Sequence, residues 1–390
     1  MAGPLIGVSV VEFAGRGPGP FASMLLADMG ASVTTIERRE GQRHASDGHN
    51  LLLRGRRSIA IDLRKAAGVA IALDLVERAD VLVEGHRPGV MERLGLGPDQ
   101  CLVRSPSLVY ARITGWGQDG ELAARAGHDL NYIALSGALS LLGDADRPPK
   151  PPLNLLGNYA GGGMMLAFGI AAALVEARES GVGQVIDAAM VDGTALLTTL
   201  QWGEHAVGRL GPRGTNVMDG AAWYMATYET ADREFVAFAA GERAFRAEMI
   251  RRLGLADEIQ VPADPGPDHG TDPAERTRIA AVIATKTREE WCEVFRESDA
   301  CFAPVLSLDE AREHPHLRNR NTFVEIDGVA QPAPAPRFSR TQPRVRWGPV
   351  PVGAHTEEIL QELGRGANEI EELSRDGVVR LAKKTMPTPK

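Results

Sequence analysis

GVSVVEFAGRGPGPFASMLLADMGASVTTIE, Gly7 to Glu37, is the stretch on which the fold turns. A β-branched run, Gly7–Phe13, ends in the glycine- and proline-rich GRGPGP. FASMLLADMG then has helical character and is stopped by Gly30. ASVTTIE follows as a second strand. The alternation continues with SIAIDL (Ser58–Leu63) as a strand, AAGVAIALDLVERA as a helix, DVLVEG as a buried strand and SLVYARITG (Ser107–Gly115) as another. Strands alternating with helices predict an α/β fold with an open, doubly wound parallel sheet. GRGPGP is not a dinucleotide fingerprint, because Pro20 stands where the third glycine of G-x-G-x-x-G belongs. Two prolines also remove amide donors that a pyrophosphate would need. A tight turn delivering the Phe21 helix is the favoured reading over a nicotinamide site.

Working outward, Tyr159–Glu179 is glycine-rich, then apolar and helical. Gly183–Leu200 reads as a short strand running into a helix. TYETADREFVAFAA predicts a hairpin turning around Ala231–Arg233. AFRAEMIRRLGL and REEWCEVFRESDA are helical, and Val261–Glu275 is a proline- and acid-rich surface loop. Gly328–His355 is extended, with enough proline to wrap over a surface. HTEEILQELG is amphipathic, with Ile359, Leu360 and Leu363 on one side. The expected organisation, Rossmann-like in the large domain as the family resemblance given below implies, is a large domain over residues 1–200 completed by a returning segment 330–390. A linker 201–223 and a small α+β domain 224–326 make up the rest.

The bulk properties fit this plan. A chain of 390 residues exceeds one ordinary core. A net charge of −8 opposes a nucleic-acid surface. Cys101, Cys292 and Cys301 are few, odd in number and lack metal-site spacing, which suggests a reducing, cytoplasmic compartment. No membrane association is expected: the candidate run, Met164–Val175, is only about 12 residues long. The N-terminus lacks the pattern of a signal peptide, and KKTMPTPK is not a peroxisomal address of the Ser-Lys-Leu type.

Three groups of residues could carry chemistry. His128 and Asp129, in AGHDLNYIALSG, follow a strand whose carboxyl end faces the ligand crevice of a parallel sheet. An imidazole there can act as a general base, or simply hydrogen-bond a loop. Asn158 precedes Gly161, Gly162 and Gly163 at the head of an apolar helix. It reads as an N-cap, with the glycines either offering free amides to a developing oxyanion or permitting close packing. Arg38, Arg39, Arg54, Arg56, Arg57, Arg64, Lys65, Arg87 and Arg93 cluster near strand ends, where they would hold phosphate or form a solvated surface. The remaining histidines, His44, His49, His86, His205, His269, His314, His316 and His355, form no ligand pattern, and no metal is expected. Neither a G-x-S-x-G element nor a P-loop occurs.

VSVVEFAGRGPGPFASMLLADMGASVTTIER, RRSIAIDL, ADVLVEGHRPGVMERLGLG, YARITGWGQDG, AGHDLNYIALSG, GQVIDAAMVDG, FAPVLSLDEAREHPHLRNRNTF and PAPRFSR together resemble the α-methylacyl-CoA racemases of the family III CoA-transferase superfamily. The resemblance runs from about residue 4 to 375. It implies two chains interlocked like links, each active site lying between one subunit's large domain and the other's small domain. It also implies a 2-methylacyl-CoA thioester as substrate, with coenzyme A part of that substrate and no separate cofactor. The family's catalytic histidine falls on His128, its neighbouring aspartate on Asp129 and its supporting small-domain glutamate on Glu242. CoA contacts fall on Arg38, Ala60, Leu63, Arg64, Arg87, Arg93 and Gly127. Met164, Met165 and Met218 are candidates for the surface over which an acyl chain moves, though each alone reads as plain core.

The departure from the family pattern is Asn158, where the racemases carry the aspartate that serves as second base. An amide has no titratable proton near neutral pH. In related CoA transferases an aspartate in this region forms an acyl anhydride, and an amide is a poor substitute there too. The expected function is racemase-type interconversion of (R)- and (S)-2-methylacyl-CoA through an enolate, with impaired or altered two-face chemistry. A CoA transferase and a catalytically silent acyl-CoA-binding paralogue are the alternatives.

Overall fold

The computed structural model describes residues 3–40, 50–261 and 271–382. His44, His49, His269, residues 262–270 of the predicted loop and KKTMPTPK lie outside the described residues. The chain forms two compact units, Met1–Ser136 with Leu153–Leu197 and Asn321–Lys390, and Gly137–Pro152 with Thr198–Arg320.

In the first unit, β1 (Ser9–Phe13), α1 (Pro18–Asp28), β2 (Ser32–Arg38), β3 (Arg56–Ile61), α2 (Ala66–Glu77) and β4 (Val81–Glu84) follow the predicted alternation. Short helices α3 (Val90–Arg93) and α4 (Pro98–Arg104) lead to β5 (Val109–Thr114), and α5 (Asp129–Leu135) comes next. Leu155–Met164 is a π-helix that runs without a break into α6 (Met165–Ser180), followed by β6 (Gln184–Ala189) and α7 (Met190–Leu197). Helix α1 starts earlier than the sequence suggested. Pro18 occupies its first turn, where a missing N–H costs nothing, and Gly17 enters it at φ 69°.

The second unit contains α8 (Thr199–Ala206), the hairpin β7 (Met225–Glu229) and β8 (Phe235–Ala239), then α9 (Arg243–Leu253), α10 (Pro273–Ile283), α11 (Arg288–Phe295), β9 (Phe302–Pro304), α12 (Leu308–Glu313) and α13 (Pro315–Asn319). The hairpin pairs Tyr228 with Val236, and β9 adds Phe302 opposite Phe238. Phe238, Phe295 and Phe302 pack around one another at centroid separations of 4.8 to 5.4 Å. Residues 201–223, read as a linker, belong to this unit, and Trp223 is fully buried in its core. Gly137–Pro152 also joins it, because the Arg213 guanidinium donates to the carbonyls of Ser140, Asp144 and Arg147.

The chain then returns to the first unit through the hairpin β10 (Phe323–Ile326) and β11 (Val329–Pro332), α14 (Thr356–Glu362), α15 (Ala367–Arg375) and β12 (Val379–Arg380). Seven strands run in the order β12-β3-β2-β1-β4-β5-β6, all parallel except β12. Alternation along β1 sends Val10 to one face and Val11 and Phe13 to the other. The first face packs on Ala22 and Leu26 of α1 and on Leu166, Ile170 and Leu174 of α6. The second packs on Ile71 and Leu75 of α2 and on Ile359, Leu360 and Ile370 from the returning segment.

Two expectations about Asn158 and its glycines are corrected here. The helix begins at Leu155, so Asn158 lies inside it and is not its cap. Gly161, Gly162 and Gly163 are buried in mid-helix and offer no free helix start. They serve close packing instead. A Cβ on Gly161 would sit 2.6 Å from Thr194 Oγ1, one on Gly163 would sit 2.8 Å from the Pro18 carbonyl oxygen, and one on Gly193 would sit 1.8 Å from the Gly161 carbonyl oxygen. The joined helix Leu155–Ser180 spans 26 residues with mean hydropathy 1.6, enough by length and composition to cross a membrane, which the sequence reading did not foresee. Its buried side is the cover of one sheet face.

Gly193→Ala is expected to lower stability by at least about 2 kcal/mol, because backbone stands where the new methyl must go. Gly203→Ala on α8, with nothing within 4 Å of the new methyl, is expected to be neutral or to gain up to about 1 kcal/mol. Urea midpoints of the two variants check the contrast.

Candidate active site

The strand order reverses direction between β1 and β4, and a parallel sheet opens its ligand crevice at the carboxyl ends there. A cavity of about 420 Å³ lies at this point, lined among others by Phe13, Gly17, His86, Arg87, Gly127, His128 and Asn158. A second cavity, of about 620 Å³, opens past the ends of β2 and β3 and is lined by Arg38, Arg39, Leu63 and Arg64. Phe13 and His86 line both.

His128 is the residue preceding α5, held in extended geometry, with its backbone N–H donated to Asn131 Oδ1 at 3.0 Å. Its side chain is exposed. Asp129 behind it is buried, and its Oδ2 accepts the backbone N–H of Asn158 at 2.5 Å. Gly157 must be glycine for this contact, since a Cβ there would lie 2.7 Å from the same oxygen. The Asn158 side chain is thereby placed against Gly17, its Nδ2 3.1 Å from where a Gly17 Cβ would project. Gly127 has a packing role of its own: a Cβ would come within 2.7 Å of the Tyr132 ring, which meets Trp116 edge-on at 4.7 Å.

The basic residues separate into two classes. Arg38, Arg64 and Arg87 are exposed, the first two in the larger cavity and the third beside His128. Arg64 is aimed by Asp62, which takes its Nε at 2.8 Å, and the guanidinium holds the Asp62 carboxyl down at about 2. Arg54 and Arg56 are buried in ion pairs with Asp28 and Glu12, at 2.5 and 2.6 Å, and cannot meet a ligand. Arg54 lies just before β3 and Arg56 is its first residue, so both occupy its amino end, which a count of nearby arginines did not distinguish. Arg57 is paired with Glu362 at 2.9 Å. Arg93 is exposed on α3, its Nη1 lying over Gly89, and lines neither cavity.

Ala60 is fully buried, with its N–H given to Thr356 Oγ1, and lines neither cavity. Glu242 lies in the second unit, exposed at the start of α9. Met164 and Met165 line neither cavity; Met190 lines the smaller one, and Met218 is exposed in the second unit.

The profile of CoA-transferase family III matches residues 5–356. The chain belongs to CoA-transferase family III. It is 45% identical to mouse alpha-methylacyl-CoA racemase over 384 residues, which cover 97% of this chain and 98% of that protein. It is 42% identical to the human protein of the same name over 386 residues, with the same coverage. Among solved structures, a CAIB/BAIF family protein from Brucella suis superposes with a TM-score of 0.80 at 25% identity, covering 93% of this chain and all of that one.

In this family III fold, sequence reasoning missed His86, which was grouped with histidines of no assigned role. The signal available was its position two residues after the end of β4, at the reversal of strand order. It also missed Met190 as a lining residue, whereas Arg39, grouped with the strand-end arginines, does line the larger cavity.

Burial holds the Asp129 carboxyl above the usual range, with the Asn158 and Gly157 amides pulling the other way. A carboxyl raised on folding supports the fold fully below its unfolded value of about 3.9 and loses that contribution as pH rises through the folded value. The Asp129→Asn variant, which cannot ionise, is therefore expected to gain stability relative to the parent as pH climbs from about 4 toward neutrality. Thermal unfolding midpoints across that range check it; a parent-to-variant difference that does not change with pH would contradict it.

Proposed function

We propose that this chain is a racemase-type enzyme acting on 2-methylacyl-CoA thioesters. The observation that carries the reading is His128 and Asn158 lining one cavity at the reversal of strand order, in a chain like the named racemases over nearly its whole length. Arg38 and Arg64 in the adjoining cavity suit the phosphates of coenzyme A, because a guanidinium matches phosphate geometry. The residues shared by the two cavities give the pantetheine arm a route toward His128.

The chemistry follows from the thioester, whose carbonyl acidifies the carbon carrying the 2-methyl group. His128 takes the α-proton, the electron pair moves onto the carbonyl oxygen, and a planar enolate forms. Return of a proton to the opposite face inverts the centre. Asn158 can hydrogen-bond the ligand but cannot take or give that proton. A second copy of the chain, interlocked with the first, would bring Glu242 to His128. The exposed apolar side chains of Phe168 and Val175, 70% and 68% accessible on one helix, support such a partner surface. Family membership keeps a CoA transferase as the second reading. The missing carboxylate at residue 158 counts against its anhydride intermediate.

In deuterium oxide the protein is expected to label one enantiomer of a 2-methylacyl-CoA faster than it inverts it. His128→Gln should cut that labelling by about 100-fold or more. Asn158→Asp should raise inversion at least tenfold, about 1.4 kcal/mol of barrier. Chiral analysis with mass spectrometry reads all three. A hydroxylamine-sensitive enzyme adduct and CoA transfer to a free carboxylate, with no α-deuterium uptake, would establish the transferase instead.

A further inference from the structure

Inversion requires two proton carriers around one carbon, and Asn158 removes one of them. The described residues that line the smaller cavity supply few substitutes. Arg16, Arg87 and Arg125 bring guanidinium groups, which are hydrogen-bond donors with no acceptor and do not serve as bases. Glu12 and Glu84 are each 1% exposed and each is engaged by a buried guanidinium, Arg56 at 2.6 Å and Arg112 at 2.7 Å. Buried and paired in this way, neither carboxylate is presented to the cavity as a free proton carrier. Burial pushes the Tyr132 phenol up, so it holds its proton rather than accepting one. Two imidazoles remain, His128 and His86.

The surroundings of His86 suit a proton carrier. It follows β4 closely, and its backbone N–H is given to Glu84 Oε2 at 2.7 Å. Its Nδ1 is buried, 3.6 Å from the same oxygen, an ion-pair distance longer than a hydrogen bond. The ring of Phe13 stands edge-on to it at 6.5 Å. With Nδ1 turned toward the buried carboxylate, Nε2 is the nitrogen left for the cavity. A carboxylate behind one nitrogen favours the tautomer that leaves the other free to accept a proton. Glu84 is itself fixed by Arg112, which also binds Glu92 at 2.8 Å. His86 further lines both cavities, so a ligand running from the arginines to His128 passes it.

We propose that His86 is the second proton carrier at the α-carbon, replacing the carboxylate absent at residue 158. This rests on the racemase reading above. For one enantiomer, His128 takes the α-proton as the C–H bond breaks. The electron pair passes to the thioester oxygen, and protonated His86 gives its Nε2 proton to the opposite face as the enolate collapses. The two imidazoles end with exchanged protonation states, ready for the reverse reaction.

The test follows α-deuterium uptake and chirality from each pure enantiomer with the full-length parent, His86→Gln, His86→Phe and His128→Gln, with acyl-CoA binding measured alongside. Both His86 variants should bind acyl-CoA, retain labelling of the enantiomer that faces His128, and lose labelling of the other and net inversion by at least about 100-fold. His128→Gln should show the mirror pattern. Adding Asn158→Asp to His86→Gln should restore inversion. Equal effects on both enantiomers, or none, in the His86 variants would overturn the assignment while leaving the racemase reading intact. A parent protein that labels neither enantiomer would overturn that reading and the assignment with it.

Discussion

The hydrogen bond from the Asn158 backbone amide to the buried Asp129 carboxylate, 2.5 Å long, is the tie on which the site depends. Asp129 belongs to the first turn of α5 and fixes where His128 stands. Asn158 belongs to the π-helix ahead of α6. The two segments are remote in sequence and meet only because glycines at 157, 161, 162, 163 and 193 let backbone approach backbone. A π-helix widens the turn and often marks a functional position. Here it carries Asn158 to the strand ends while its glycine face stays pressed on α1 and α7. The arrangement buries one carboxylate oxygen of Asp129 without a partner. That cost is accepted in exchange for a rigid junction beneath the cavity.

A second constraint lies under the crevice floor. Glu12 on β1 and Glu84 on β4 are acids on the two strands that flank the reversal point, and both are buried against arginines. Desolvation of such pairs offsets much of their attraction, so they are weak evidence of stability. Their effect on chemistry is clearer. Each guanidinium occupies a carboxylate that lines the smaller cavity, which on the proposed reading leaves imidazoles as its proton carriers. The larger cavity differs, because Arg38 and Arg64 there keep exposed guanidinium groups.

The legible part of this molecule was whatever local periodicity encodes. The β-branched runs around Val10, Val33 and Val81, the helices between them and the hairpin turning near Asp232 are all short-range patterns, and each is found where expected. The placement of His128 at a strand-end cavity was legible because a strand, Val109–Thr114, comes before it with no helix between. What was not legible depends on partners far along the chain. Arg54 and Arg56 look like neighbours of Arg64 in sequence, yet Asp28 and Glu12 bury them at the opposite end of β3. The true start of the helix at Leu155 was hidden because Asn158 and three glycines imitate a cap and a loop. The excursion Gly137–Pro152 is claimed by the second unit through Arg213, a contact no window of local sequence contains.

On the reading proposed above, this division would let a family III scaffold keep its ligand while its chemistry shifts. The structural duty of residue 158 is discharged by its main-chain N–H, which any residue but proline supplies. The side chain is answerable only to the cavity and to Gly17. A carboxamide there has nearly the shape of a carboxylate but cannot take up or give a proton as one does. The fold therefore exerts no force to keep an acid at this position, in contrast to Gly157, where the same Asp129 oxygen forbids a side chain. Likeness over the whole chain speaks to the family and the fold. On the racemase reading proposed above, the direction of proton flow rests with one or two side chains that the fold itself does not need.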